Sequence, residues 1–164
     1  MGKSAGIVKN AGMWYTCRKE RACLKMKIAV SACLLGRNCK YNGGNNYDQN
    51  VIDFLEGKEI VEVCPETAAG LGIPRTPIEI VNGEVKDRKG NSVDRQLRRA
   101  VAELVTKLKE QQVECAVLKS RSPTCGVKQV YDGTFSGTLV DRMGVLAQAL
   151  QDAGIRVIDA EDLV

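Results

Sequence analysis

Cysteine is the residue type in this chain with the plainest chemical meaning. Seven cysteines occur among the 164 residues, and histidine is absent. Without imidazole, a transition-metal site has to rest chiefly on thiolates, and hydrolases that use a serine–histidine or cysteine–histidine pair are excluded. Because an odd number of cysteines cannot all pair within one chain, metal binding or catalysis is favoured over a disulfide framework.

Three of the cysteines follow apolar segments that are typical of buried strands. The predicted strands are residues 28–31, 60–63 and 116–119, and the cysteines at or beyond their ends are Cys33, Cys64 and Cys125. The carboxyl ends of neighbouring parallel strands meet at one edge of a sheet, where open α/β proteins build their sites. We therefore expect these thiols to converge, and three sulfur ligands favour zinc or an iron–sulfur cluster.

Two further cysteines receive other interpretations. Cys115 opens an apolar strand, so we expect it to be a buried core residue. Cys39 could replace Cys33 or serve as a fourth ligand, and the residues alone leave that choice open. The number of ligands matters because a metal site with three protein ligands keeps a position open for substrate, whereas a closed site is usually structural.

The segments that must position these cysteines alternate between strands and helices. Asp48 is expected to cap a short helix, Asn82-Gly83 predicts a hairpin turn, and a longer helix carries apolar residues from Leu97 to Leu108 at helical spacing. Strands that alternate with helices favour a parallel sheet. The sequence thus predicts a single α/β domain, Rossmann-like in class, with a mostly parallel sheet flanked by helices.

Positive charge is concentrated near the start of the chain. Residues 1–26 hold six basic side chains and one acidic side chain, which leaves 18 basic and 19 acidic side chains in the rest. A nucleic-acid surface needs a basic patch on the folded domain, so no nucleic-acid partner is expected. We predict a basic, poorly ordered N-terminal extension over residues 1–25 and one domain over residues 26–164.

Apolar residues are spread along the chain in short segments. No run of about 18 apolar residues and no secretory signal is found, so no membrane partner is expected and the protein is predicted to be cytoplasmic. The oligomeric state is left open.

Four motifs follow one another along roughly residues 26–160. They are Val30-Ser-Ala-Cys-Leu-Leu-Gly36 with Cys39, Cys64-Pro-Glu66 followed by Pro74-Arg-Thr-Pro77, Leu118-Lys-Ser-Arg-Ser-Pro-Thr-Cys-Gly126, and Tyr131-Asp-Gly-Thr-Phe-Ser-Gly137. Any one of them is weak, but the four in this order resemble the motifs of the thiouracil desulfurase family and are specific for family membership.

The resemblance implies a cofactor, its ligands and a reaction. The implied cofactor is a [4Fe–4S] cluster held by Cys33, Cys64 and Cys125, whose fourth iron is free to take the sulfur of a thiolated pyrimidine. The implied reaction is non-redox: water replaces the thiocarbonyl sulfur of a compound such as 2-thiouracil, giving uracil and sulfide.

Polar residues beside the motifs are candidates for binding the substrate and moving its protons. Glu66 is the candidate acid or base because it lies two residues beyond a ligand. The other candidates share loop positions near the thiols: Lys119, Ser120 and Ser122 for catalysis, and Arg75, Ser122 and Asp132 for substrate binding.

Several alternatives stay open at this point. Ser122 could begin a turn, and Asp132 beside Gly133 is typical of one. A structural zinc or thiol-based binding module would use the same cysteines without an open position. A redox-thiol protein is the third possibility, although the chain has no Cys-x-x-Cys pair.

Overall fold

The computed structural model describes residues 7–10, 13–16 and 26–164. In chain order the strands and helices are β1 (Ile7–Asn10), β2 (Met13–Thr16), β3 (Lys27–Ser31), a 3₁₀ helix (Ala32–Leu35), α1 (Gln49–Leu55), β4 (Glu59–Val63), α2 (Pro65–Ala68), β5 (Ile78–Val81), β6 (Glu84–Asp87), α3 (Asp94–Glu110), β7 (Cys115–Leu118), β8 (Gln129–Tyr131), β9 (Leu139–Asp141), α4 (Val145–Asp152), β10 (Arg156–Asp159) and a 3₁₀ helix (Ala160–Asp162).

A four-stranded parallel sheet forms the centre of the domain. Its strand order is β10–β7–β3–β4, with Ile28 of β3 opposite both Cys115 of β7 and Ile60 of β4. The predicted α/β class with a parallel sheet flanked by helices is confirmed. After β3, the chain first adds β4 on one side of this strand and later adds β7 and β10 on its other side. This reversal places a crevice at the carboxyl ends of β3 and β7.

Both faces of the sheet are covered, which explains why its inner strands are apolar throughout rather than alternating. On one face, α3 and α4 bury Leu97, Leu108, Leu146 and Leu150. On the other face, α1 packs against β3 and the C-terminal segment. Full burial of one such leucine stabilises the fold by roughly 2 kcal/mol.

Local signals explain where several elements begin and turn. The Asp48 carboxylate accepts hydrogen bonds from Asn50 N and Val51 N, which caps α1 as predicted. β5 and β6 pair as an antiparallel hairpin around Asn82 and Gly83, whose φ angles of 50° and 81° suit the predicted turn. A second hairpin, β8–β9, was predicted only as a turn-rich segment.

The predicted extension over residues 1–25 lies largely outside the described residues, and so do Cys17 and Cys23. Within it, β1 and β2 pair antiparallel, with Ile7 opposite Thr16. Poor order of this segment stays a prediction. None of the helices in the described ranges combines the length and the apolar composition needed to cross a membrane.

Candidate functional site

A cavity of about 450 Å³ opens at the carboxyl end of the sheet. Cys33 reaches it from the 3₁₀ helix that follows β3, and Cys64 is the residue directly after β4 and precedes α2. Cys125 enters from the loop between β7 and β8, and Cys39 lines the same cavity. The structure therefore brings together all four cysteines considered as ligands.

Burial governs the acidity of these thiols. It raises the pKa of Cys125 to about 12, and burial followed by the interaction with Cys64 raises the pKa of Cys39 to about 12. Burial also raises the pKa of Cys33, while a hydrogen bond to Asn46 and the charge of Lys119 lower it. The buried thiols keep their protons near neutral pH until a metal displaces them.

Each of the three predicted ligands has a polar side chain beside its sulfur. The Cys64 sulfur lies 3.1 Å from Thr67 Oγ1, and Thr124 Oγ1 lies 3.7 Å from the Cys125 sulfur. Hydrogen bonding from the Asn46 side chain lowers the pKa of Cys33. A metal-bound thiolate can only accept a hydrogen bond, so the amide and the hydroxyls must be the donors in the loaded site. Such partners orient ligands and tune the metal.

The donor set fits an iron–sulfur cluster better than a single ion. The five cysteines in the described ranges are free thiols. Among the described residues, no three Cys, Asp, Glu or His side chains converge as a single ion requires. A cluster is held by thiolates that each bind a different iron, so its ligands need not meet at one point. Zinc, which takes its ligands at one centre, fits this arrangement poorly.

Glu66 lies in the first turn of α2 and is nearly buried. Its side chain is 14% exposed, and Arg75, at 7%, pairs with it through Nε, 3.0 Å from Oε2. On the other oxygen, the Thr124 hydroxyl donates to Oε1 at 3.2 Å. Ser122 Oγ lies 3.0 Å from Thr124 Oγ1, so a continuous chain of polar groups runs from the cavity wall to the carboxylate.

Arg75 lines the cavity, but protein groups occupy its guanidinium. Besides Glu66, it donates to the carbonyl of Gly72 at 2.9 Å and to the carbonyl of Cys39 at 2.8 Å. The structure therefore places Arg75 as the group that holds the carboxylate and the Cys39 loop together. Its predicted contact with substrate stays a prediction.

The segment after β7 supplies the remaining polar wall of the cavity, with Lys119, Ser120 and Ser122 all lining it. Lys119 Nζ donates to Ser120 Oγ at 3.1 Å, and this serine is 4% exposed. Ser122 Oγ accepts from the backbone N–H of Cys125 at 3.1 Å. Ser122 thus shapes the ligand loop, which was its alternative turn role, while it also faces the cavity.

Comparisons with known proteins identify the family of the described domain. A profile described as 2-thiouracil desulfurase matches residues 28–162, which span the described domain. The chain belongs to the 2-thiouracil desulfurase family. The resemblance seen in the sequence motifs is confirmed.

Two similar proteins extend the comparison. The chain is 34% identical over 146 residues to the uncharacterized protein YbbK of Bacillus subtilis (strain 168), covering 83% of this chain and 97% of that protein. It is also similar to a solved structure of the [4Fe-4S]-dependent thiouracil desulfidase TudS, with 34% identity and a TM-score of 0.79 over 84% of this chain and 93% of that one.

One predicted site residue of this 2-thiouracil desulfurase family member is not brought to the cavity. Asp132 lies in the β8–β9 connection, where Oδ1 accepts from the backbone N–H of Thr134 at 2.9 Å and from its hydroxyl. The bond from the Thr134 hydroxyl is the main cause that lowers the pKa of Asp132. Asp132 therefore forms the turn, while its neighbours Tyr131 and Phe135 line the cavity.

Sequence reasoning missed the polar partners of the thiols. Ser31 stands inside the first family motif, two residues before Cys33, yet its hydrogen bonding lowers the pKa of Cys125. Asn46 and Thr67 lie outside the four motifs described above. Of these three residues, only Ser31 could have been noticed from the sequence, because it lies in a motif. The positions of Asn46 and Thr67 beside the thiols depend on how their segments fold.

Proposed function

We propose that this protein removes sulfur from a small thiolated pyrimidine such as 2-thiouracil, releasing sulfide and the oxo compound. The observation that carries the proposal is the meeting of several thiols and a nearly buried carboxylate in one cavity. Family membership and the likeness to TudS support the same reaction and a [4Fe–4S] cofactor.

Cys33, Cys64 and Cys125 would hold the cluster. When bound through three cysteines, it supplies an iron without a protein ligand, which acts as a Lewis acid towards the thiocarbonyl sulfur. Lys119 contributes positive charge beside Cys33, and this charge favours the thiolate forms and the anionic product sulfide. Cys39 remains the alternative to Cys33, since its thiol lines the same cavity.

Glu66 is the group proposed to manage the protons of water. The reaction exchanges the thiocarbonyl for a carbonyl, and both protons of water leave with the sulfide. Because Arg75 holds Oε2, the oxygen that faces the Thr124 hydroxyl is the one placed to exchange a proton. Ser122, hydrogen-bonded to Thr124, connects that oxygen to the cavity, so a proton can pass between water and Glu66 without a large movement.

The same proposal gives the protein a small-molecule partner and a cytosolic location. Free thiols are maintained in the reducing cytosol. No nucleic-acid or membrane partner is part of the proposed function.

Metal analysis and turnover of anaerobically prepared protein test the proposal. Iron and acid-labile sulfide in cluster proportions, with sulfide and uracil released from 2-thiouracil, are expected. The Cys125→Ser variant serves as the matched control and is expected to release neither product. Protein that carries stoichiometric zinc without acid-labile sulfide would refute the proposal.

A further inference from the structure

Glu79 is a buried carboxylate to which the proposed reaction gives no role. It lies in β5, is 7% exposed, and lines the cavity. Acidic side chains are almost never buried to this degree unless partners compensate their charge. The backbone N–H of Gly133 donates to Oε2 at 2.9 Å, and that of Phe135 donates to the same oxygen at 3.0 Å. One carboxylate oxygen thus ties β5 to the β8–β9 connection.

The other oxygen, Oε1, remains available as an acceptor. No group in the described residues donates a hydrogen bond to it, since both backbone donors are bound to Oε2. Within the same described ranges, no side-chain nitrogen or oxygen is both fully buried and without a hydrogen-bond partner. Oε1 is therefore reached from open space, and the space beside Glu79 is the cavity. Because a carboxylate oxygen can only accept, this position calls for a donor on the molecule that fills the cavity.

The β8–β9 connection holds this carboxylate in a fixed position. Gly133 has a φ of 93°, and a Cβ added there would lie 2.5 Å from the carbonyl oxygen of Ile80, so glycine permits the close approach to β5. Phe135 has a φ of 55°, a conformation that persists only where the surrounding structure fixes the backbone. Phe135 and Tyr131 line the same cavity. A fixed acceptor beside aromatic rings suits a planar ring that carries an N–H group.

We propose that Glu79 is a substrate-binding residue whose Oε1 accepts a hydrogen bond from a ring N–H beside the thiocarbonyl of the substrate. The inference rests on the proposed function and narrows its substrate class to thiolated pyrimidines that keep a proton on a ring nitrogen next to the carbon–sulfur bond. 2-Thiouracil has such an N–H on each side of its thiocarbonyl. A site built to bind this group discriminates against analogues that lack it, because the buried acceptor is then left unpaired.

Glu79→Gln separates substrate binding from a structural role. The two backbone N–H groups need an acceptor at the position of Oε2, so the amide oxygen is expected there and the NH₂ group at the position of Oε1. The connection stays anchored, while a donor replaces the acceptor in the cavity. The variant is expected to keep its cluster and to raise KM for 2-thiouracil by about 10- to 100-fold, with kcat changed far less.

Glu84→Gln is the matched control. Glu84 lies in β6 of the same hairpin, pairs with Lys86 and is not a cavity residue, so this variant should keep the wild-type KM. An unchanged KM in Glu79→Gln, or an equal change in Glu84→Gln, would overturn the inference.

Two methylated substrates give a second readout, because 1-methyl- and 3-methyl-2-thiouracil each lack one ring N–H. The wild type is expected to convert one of them with a kcat/KM about 10- to 100-fold below that of 2-thiouracil, and Glu79→Gln to lose most of this difference. If Glu79→Gln takes up no cluster, the wild type alone decides: selective loss with one methylated form supports the inference, and equal kcat/KM for all three compounds overturns it. Wild-type protein that releases no sulfide from 2-thiouracil would instead refute the proposed function itself.

Discussion

The two ends of the central sheet use cysteine in opposite ways. At the carboxyl end, Cys33 and Cys64 follow their strands and line the cavity. At the amino end, Cys115 opens β7, is 4% exposed, and packs in an apolar cluster with Ile28 and Ile158. Burial raises its pKa to about 11. The same side chain is thus a candidate ligand at one end of the sheet and a core residue at the other.

The difference lies in what surrounds each sulfur. At the carboxyl end, a threonine hydroxyl lies beside the sulfur of Cys64 and another beside that of Cys125, and hydrogen bonding from Asn46 lowers the pKa of Cys33. A nearly buried ion pair, Glu66 with Arg75, lines the same cavity. Cys115 lies in a cluster of apolar side chains, and the charges that act on its pKa are those of Arg156, Glu114 and Lys58. Polar groups are expensive to bury in a core, so their concentration at one end of the sheet marks the functional end.

The largest expected difference between the two ends is in cluster binding. Replacing Cys33, Cys64 or Cys125 singly with Ser is expected to abolish the bound cluster, because each removes one thiolate ligand. Cys115→Ala is the matched control and is expected to keep it. Iron and acid-labile sulfide per chain measure the outcome. A ligand variant with wild-type cluster content would contradict the assignment of that cysteine.

The next largest effect concerns turnover rather than cluster content. Glu66→Gln is expected to lower the rate of sulfide release by about 10²–10⁴-fold, the range for loss of a general acid or base, while the cluster is retained. Glu62→Gln provides the control, since Glu62 lies on β4 close to Cys64 and forms an exposed ion pair with Arg37. Sulfide production with 2-thiouracil measures both. Equal rates of sulfide release in the two variants would show that Glu66 has no catalytic role.

At the amino end, the pH dependence of stability reports the burial of Cys115. Its pKa is raised from 9.0 to about 11, so the folded state favours the protonated thiol. That contribution is fully present below pH 9.0 and is lost as the pH rises through about 11, amounting to roughly 3 kcal/mol for a shift of this size. In denaturant unfolding of the cluster-free protein, the free energy of unfolding of the wild type should therefore fall further between these pH values than that of Cys115→Ala, which lacks the thiol. Parallel pH profiles would contradict the prediction.

The smallest expected effect separates Cys39 from the ligands at the same end. Cys39→Ser is expected to retain the cluster, in contrast to Cys33→Ser. Iron and sulfide contents of the two variants, prepared side by side, give the comparison. If Cys39→Ser loses the cluster and Cys33→Ser retains it, then Cys39 is the ligand and Cys33 is not.

The fold was predictable from the sequence where its cause is local. The apolar runs gave the strands that carry the sheet, and the helical spacing from Leu97 to Leu108 lies within α3. The hairpin β8–β9 and the short helix α2 were missed because their segments are short, polar and rich in turn residues. Such elements depend on packing against the rest of the domain more than on their own pattern.

The candidate site also contains features that were predictable from local sequence and features that were not. Strand ends and motifs were enough to identify Cys33, Cys64, Cys125 and Glu66 as residues of one cavity. Pairings between distant segments were not predictable, and the hydrogen bond that the backbone N–H of Lys119 donates to Ser31 Oγ joins the ends of two different strands. No local pattern specifies such a pair, because it arises only when β3 and β7 become neighbours.

One measurement tests the central claim most directly: the visible absorption spectrum of anaerobically prepared protein before and after addition of 2-thiouracil. We predict the broad absorption of an iron–sulfur cluster, a change in that spectrum on addition, and release of uracil and sulfide in equal amounts. Cys115→Ala should behave as the wild type. Either of two results would contradict the account. One is a colourless protein, and the other is a coloured protein whose spectrum does not change and which leaves the added 2-thiouracil unconverted.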